Sequence, residues 1–233
     1  PYKFKYIMQK DKNAPVAIIY PSIGESIQSH HSVVLAKLFY DEGYSVIIQG
    51  SHFQWEFVKS MPQDYAPGIP TDDAKHLRTL TSKIITHLEK KYDCKLGNKT
   101  IIGTSFGALE TLFLASEEAK NNILGTTKYI SICPPIDLFY AMEQIDKNGE
   151  EWSRNSENLE QKIAQTASKV VQLYNLKDEK PSSITKLPFS EEEGKLITGF
   201  IMHQKLSDLI FTLENTPKNK QTDIYQQINN MNY

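Results

Sequence analysis

The segment TIIGTSFGALETLFLAS, residues 100–116, joins a β-branched apolar run to an apolar helical pattern through a serine. The run before Gly103 predicts a buried strand, and apolar residues three and four positions apart predict a helix that opens at Phe106. Ser105 lies at the junction, with Gly103 and Gly107 two positions away on either side. The segment therefore predicts a tight strand-to-helix turn that carries a serine hydroxyl.

Strand and helix patterns alternate around this turn. Strand-like runs occupy residues 14–21, 44–50, 99–105 and 126–135, and the continuous apolar character of 44–50 suits a parallel strand covered on both faces. Helical spacing separates the runs, and we expect Thr71 to cap the longest of these helices. The segment YKFKYIM, near the start of the chain, predicts an additional edge strand. Together the patterns predict an α/β fold, a three-layer arrangement around a mostly parallel sheet.

The character of the sequence changes after the fourth run. Two helical patterns follow, at about 156–178 and at 190–214, and no strand pattern accompanies them. The second begins with a capping box, Ser190–Glu193. We therefore expect an α/β core at residues 1–137 and a helical lid segment at residues 138–233.

The 233 residues carry a net charge of −2, and 39% of them are apolar and 23% charged. This composition is typical of a soluble globular protein, and the interspersed lysines and glutamates argue against a nucleic-acid partner. No apolar run reaches the roughly 18 residues that cross a bilayer, and the first residues lack a signal-peptide pattern. We expect a soluble protein without a transmembrane segment, either cytoplasmic or exported after removal of an N-terminal segment.

The turn at Ser105 satisfies the G-x-S-x-G pattern of serine nucleophiles, which demands a strand immediately before and a helix immediately after. Acyl transfer also needs two backbone N–H donors for the oxyanion. Phe106 supplies one, and the loop after the first apolar run supplies the other from Ile23 or Gly24. The alternative is an ordinary strand-to-helix connection that happens to contain a serine.

Three motifs in chain order, PSIGES at 21–26, SHFQWEF at 51–57 and GTSFGA at 103–108, resemble the α/β-hydrolase fold. They look in particular like bacterial serine hydrolases with a helical insertion after the sixth strand. The resemblance implies a hydrolase without a cofactor, which cleaves an ester, thioester or amide of a small-molecule or acyl substrate through an acyl-enzyme at Ser105. A carboxylic ester is the first expectation. The PSIGES loop lacks the His-Gly-Gly pattern of many esterases, so the oxyanion donors rest on chain position alone.

The resemblance also implies an acid and then a histidine after the nucleophile. Asp137 directly follows the fourth run and is either that acid or the cap of the next helix. Only His203 comes after Ser105, and it lies inside a helical pattern, where a structural histidine that is hydrogen-bonded or half-buried is expected. We therefore expect the base in a further strand beyond Tyr233, and very low activity in a chain that lacks it.

His52 and Trp55 follow the second apolar run, at the carboxyl edge of the predicted sheet, where we expect them to line a pocket. No spacing of histidines, cysteines and acids predicts a metal site. The adjacent His30 and His31 cannot point the same way in a helix, so they suit a helix surface. A second interpretation is a non-catalytic α/β-hydrolase-like protein that binds a ligand or a protein partner. The helical segment is also a candidate homodimer interface.

Overall fold

The computed structural model describes residues 2–154, 159–175 and 188–214. Within these residues the chain forms two compact units, one made of residues 2–136 with 208–214 and the other of the described part of 137–207.

Within the described residues, five strands form one mixed sheet: β1 (Lys5–Ile7), β2 (Val16–Tyr20), β3 (Ser45–Ile48), β4 (Lys99–Thr104) and β5 (Thr126–Ile132). The strand order is β1-β3-β2-β4-β5. β1 pairs antiparallel with β3 at one edge, and the other three pairings are parallel. The predicted edge strand and the predicted mostly parallel sheet are therefore confirmed.

The helices of the first unit are α1 (His30–Asp41), α2 (Trp55–Val58), α3 (Pro70–Tyr92) and α4 (Phe106–Lys120). Those that follow β5 are α5 (Leu138–Arg154), α6 (Leu159–Asn175) and α7 (Glu191–Glu214). The ends of the predicted 156–178 helix and everything after residue 214 lie outside the described residues. No helix within the described ranges combines the length and apolar character that a membrane span requires.

Helices cover both faces of the sheet. All five residues of the central strand β2 are buried, and successive side chains of a strand point to opposite faces. On one face Ile18 belongs to a cluster with Leu77 and Leu88 of α3, and on the other Ile19 belongs to a cluster with Ala36 of α1. Burying each of the larger aliphatic side chains contributes about 1.5–3 kcal/mol. Because helices pack on both faces of the sheet, the expected α/β layering is confirmed.

The sheet register places two predicted functional loops side by side. β2 and β4 are parallel neighbours, and Tyr20 at the end of β2 lies opposite Gly103 near the end of β4. The chain segments that follow these residues therefore leave the same edge of the sheet at the same level. Ligands of open α/β sheets bind at this carboxyl edge.

The start of α3 differs from our expectation. We expected Thr71 to cap this helix, but the helix begins at Pro70 and its N-cap is Ile69, which makes no side-chain capping bond. Proline suits the first helical position because it has no N–H to leave unpaired and its φ is already helical. Thr71 is instead the second residue of the helix.

The sequence patterns do not predict two of the observed helices, α2 and α5, but they do predict the N-terminal cap of α7. Helix α2 spans only four residues, about one turn, which is too short to show a helical period. Helix α5 contains a polar stretch and Gly149, which interrupt the apolar pattern. The predicted capping box is present at the start of α7: Ser190 N–H donates to Glu193 Oε2 and Glu193 N–H donates to Ser190 Oγ.

Candidate active site at the turn between β4 and α4

Ser105 is the single residue between the end of β4 and the start of α4. Its φ is 52° and its ψ is −121°, a combination outside the allowed regions for residues with a side chain. The backbone on both sides fixes it: Ser105 N–H donates to Ile132 O of β5 at 2.9 Å, and Ser105 O accepts from Ala108 N at 2.9 Å. The turn thus holds a strained serine between two regular elements.

Two glycines permit this turn because the backbone approaches them closely. A Cβ at Gly103 would overlap the carbonyl oxygen of Gly107 and the hydroxyl of Thr111. A Cβ at Gly107 would overlap the carbonyl oxygens of Tyr20 and Pro21, at the end of β2. The first turn of α4 therefore packs directly against the backbone of the neighbouring strand, which only glycine allows.

The predicted oxyanion donors lie on the two neighbouring chain segments. Phe106 is the first residue of α4, where backbone N–H groups have no partner within the helix. Gly24 has a φ of 65°, and its N–H donates to Ser51 Oγ at 3.2 Å. Among the described residues, Ile23 N–H has no acceptor. Of the two candidates in this loop, Ile23 thus has the uncommitted donor; the oxyanion role itself stays a prediction.

His52 is 3% exposed and sits among aromatic rings. Its ring centroid lies 4.3 Å from that of Phe53, 6.3 Å from that of Phe57 and 5.4 Å from that of Phe106. Trp55 is partly buried against the cluster that contains Phe57. Their role as pocket residues stays a prediction. The contact with Phe106 places His52 next to the residue that directly follows Ser105.

Two acids that the sequence analysis did not single out as site residues approach the His52 ring. Its Nε2 atom lies 3.6 Å from Asp73 Oδ2 and 3.8 Å from Glu110 Oε1. Asp73 is 0% exposed and Glu110 is 1% exposed. Asp73 lies in the first turn of α3, where an acid is already favoured by the helix dipole. The available signal for Glu110 was a lone charge in the otherwise apolar GALETLFLAS pattern of α4.

Burial dominates the electrostatics of this cluster. It lowers the pKa of His52 to about 3, so the imidazole is neutral. Burial raises the pKa of Asp73 to about 6, although hydrogen bonds from Tyr65 and Gly68 oppose the shift. Burial and the neighbouring Asp73 carboxylate raise the pKa of Glu110 to about 9. Each side chain is thus less charged here than in water.

Asp137, the candidate triad acid, has another visible role. Asp137 Oδ1 accepts a hydrogen bond from Tyr140 N–H at 2.9 Å, as an N-cap of α5 does. Its role as the triad acid stays a prediction. His203 lies in α7 as expected, but it is exposed rather than half-buried. No described side chain forms a hydrogen bond with the Ser105 hydroxyl, so the geometry assigns no general base.

Replacing Ser105 by glycine should stabilise the protein. Glycine adopts the observed backbone angles without strain, which costs serine roughly 1–3 kcal/mol, and this gain exceeds the roughly 0.5–1 kcal/mol of added chain entropy. We expect Ser105→Gly to raise the free energy of unfolding by about 1 kcal/mol, measured by urea denaturation. Ser105→Ala, which keeps the strain, is the control and should change little. If Ser105→Gly is less stable than Ser105→Ala, the backbone at residue 105 is not strained.

Comparisons with known proteins identify no family. No family model matches the chain, and no curated protein matches it. Two solved structures of the Pyrococcus furiosus esterase Pf2001, in space groups P21 and P212121, are similar to it at TM-scores of 0.39 and 0.38 and identities of 17% and 16%. The matches cover 64% and 68% of this chain and span 56% and 59% of the esterase chain. At these TM-scores the likeness assigns neither fold nor activity to this chain.

Proposed function

We propose that this protein is a serine hydrolase in which Ser105 is the nucleophile. The observation that carries the proposal is the conformation of Ser105, at φ 52° and ψ −121° on a one-residue turn from β4 into α4. Strain of this kind projects a serine hydroxyl above the sheet edge in hydrolases of this architecture. A strand-to-helix connection without a catalytic residue would gain nothing from this strain, because glycine at the same position would relieve it.

In the proposed reaction Ser105 Oγ attacks the carbonyl carbon of an ester while its proton passes to a general base. The carbonyl oxygen becomes an oxyanion, which the N–H groups of Phe106 and Ile23 hold in place. Collapse of this intermediate breaks the bond to the leaving alcohol, which takes up the proton, and leaves the acyl group on Oγ. Water then gives a proton to the base and attacks the acyl carbon, the bond to Oγ breaks, the carboxylic acid leaves, and the base returns the proton to the serine.

The amino end of α4 supports the oxyanion. Ser105 precedes a helix of 15 residues, Phe106–Lys120, and the positive end of a helix dipole favours negative charge at this position. Gly24 contributes to the loop geometry instead, because its N–H is bound to Ser51 Oγ. The base is proposed to be a histidine and the acid Asp137, in the chain order that the resemblance implies.

The helical segment at 138–233 is proposed as a lid for a hydrophobic acyl group. Helices α6 and α7 border an apolar groove of about 480 Å³, whose lining includes Val170, Leu196 and Phe200. Apolar lining of this kind is typical of sites for hydrophobic ligands. The same surface is the candidate homodimer interface, and light scattering decides whether the protein is a dimer.

Hydrolysis of p-nitrophenyl esters by the product of the full-length gene tests the proposal. We expect saturable release of p-nitrophenol, with acyl groups longer than acetyl preferred if the groove accepts them. Thioester and amide analogues of the preferred acyl group then define the bond class. Absence of turnover across the ester series, from a folded protein, would favour the second interpretation.

The second interpretation is a non-catalytic protein that binds a ligand or partner. The observation in its favour is the Ser105 hydroxyl, which makes no side-chain cap hydrogen bond and has no hydrogen-bonded base among the described side chains. A catalytic serine normally has such a base within about 3 Å, although this contact can lengthen in the absence of substrate. Turnover that depends on Ser105 would dismiss this interpretation.

A further inference from the structure

Among the described residues, three buried polar atoms converge behind the first turn of α4 without a hydrogen-bond partner: His52 Nε2 and both carboxylate oxygens of Glu110. The buried Asp73 carboxylate lies next to them. Only Asp73 has partners, since Tyr65 OH donates to Oδ1 at 2.6 Å and Gly68 N–H donates to Oδ2 at 2.8 Å. Buried polar atoms are nearly always paired, because an unpaired one costs about 1–3 kcal/mol. The cluster therefore requires a partner that satisfies several atoms at once.

The arrangement of the donors fits a small cation. One donor atom from each of His52, Asp73 and Glu110 lies within 4.8 Å of the other two. Tetrahedral donors placed 2.0–2.1 Å from Zn²⁺ are roughly 3.3–3.4 Å apart. The separations of 3.6 and 3.8 Å from His52 Nε2 to the two carboxylates exceed this value by only a few tenths of an ångström.

We propose that His52, Asp73 and Glu110 bind one Zn²⁺ ion. An imidazole nitrogen with two carboxylates suits Zn²⁺, whereas Ca²⁺ and Mg²⁺ prefer six or more oxygen ligands and bound water. One divalent ion also balances two carboxylates, so the site is neutral as a whole. Both oxygens of Glu110 are unpaired, so its carboxylate can bind the ion through either oxygen. No spacing of residues in the sequence predicts this site.

The surroundings of Asp73 match those of a metal ligand. Ligating carboxylates are themselves usually hydrogen-bonded by neighbouring groups, which orient them, and Tyr65 and Gly68 do this for Asp73. The three ligands come from the loop after β3, from the first turn of α3 and from α4. A bound ion would thus tie these elements together behind Phe106. This role is structural and does not depend on whether the protein is a hydrolase.

Zinc content of the full-length protein tests the site directly. The protein is produced without a polyhistidine tag, dialysed against metal-free buffer, and analysed by plasma mass spectrometry before and after addition of Zn²⁺. We expect about one zinc ion per chain, and a melting temperature that falls by roughly 5–10 °C when a strong chelator removes it. Glu110→Gln and His52→Phe, which keep side-chain volume and ring packing, should reduce the zinc content at least tenfold.

Two variants serve as controls. Glu118→Gln changes another buried glutamate of α4, which accepts from Leu124 N–H and lies outside the cluster, and it should retain zinc. His31→Ala removes an exposed histidine near Glu25, so zinc lost with this change is an adventitious surface ion and overturns the proposal. Wild-type protein with neither bound zinc nor a zinc-dependent melting temperature overturns it as well. Zinc content and melting temperature of the wild-type protein do not depend on any variant, so they test the proposal even if a cluster variant fails to fold.

Discussion

Ser105→Ala should lower ester turnover by at least about 10³-fold, as removal of a serine nucleophile does in other hydrolases. The hydroxyl is the only group lost, because alanine keeps the backbone strain and the Cβ. The loss should fall on kcat, since the substrate still meets the same surface. Folding should be unaffected, because Ser105 makes its described hydrogen bonds through backbone N–H and C=O. Rates measured on the two purified proteins, side by side with their circular dichroism spectra, provide the comparison.

Ser116→Ala is the matched control for this change. Ser116 lies in the same helix, is exposed, and is remote from the turn in sequence, so its removal should leave turnover within about twofold of the wild-type rate. Equal activity of Ser105→Ala and the wild type would assign any observed hydrolysis to another group or to a contaminant.

Gly107→Ala should destabilise the protein by about 3 kcal/mol or more. Two effects oppose each other at this helical position. Alanine is favoured over glycine inside a helix by about 1 kcal/mol. The new Cβ, however, would overlap the backbone oxygens of Tyr20 and Pro21, and backbone at the end of a central strand cannot move aside as a flexible side chain can. The clash dominates, and α4 must shift away from β2.

Gly194→Ala isolates the helix-propensity effect. Gly194 lies in the first turns of α7, and a Cβ there would meet no atom within 4 Å. This variant should be as stable as the wild type or more stable by up to about 1 kcal/mol. Chemical denaturation of both variants measures the difference between them. A Gly107→Ala protein as stable as Gly194→Ala would contradict the close packing of α4 on β2.

Local patterns were sufficient to predict the elements that form the turn. The apolar run before Gly103 and the helical spacing after it predicted β4 and a helix that opens at Phe106, and both are observed. The capping box of Ser190 and Glu193 was predictable for the same reason, since both partners lie within one turn of chain. The tight turn was predictable from Ser105 between a strand and a helix pattern, whereas its strained backbone angles came from the structure.

The cluster behind the turn was not predictable in the same way. His52, Asp73 and Glu110 are far apart in the sequence, and their proximity follows from the packing of α3 and α4 on one face of the sheet. Asp73 had a sufficient local explanation, since acids are favoured in the first turn of a helix. Its burial and its bond from Tyr65 depend on tertiary structure, which no local pattern contains.

Mass-spectrometric mapping of a fluorophosphonate probe on the full-length protein tests the central claim most directly. Such probes phosphonylate activated serines, so the mass of the probe should be found on the peptide that contains Ser105, at about one probe per chain. Heat-denatured protein and Ser105→Ala should carry none. A folded protein that stays unlabelled, or whose label is on another residue, would contradict the assignment of Ser105 as the nucleophile.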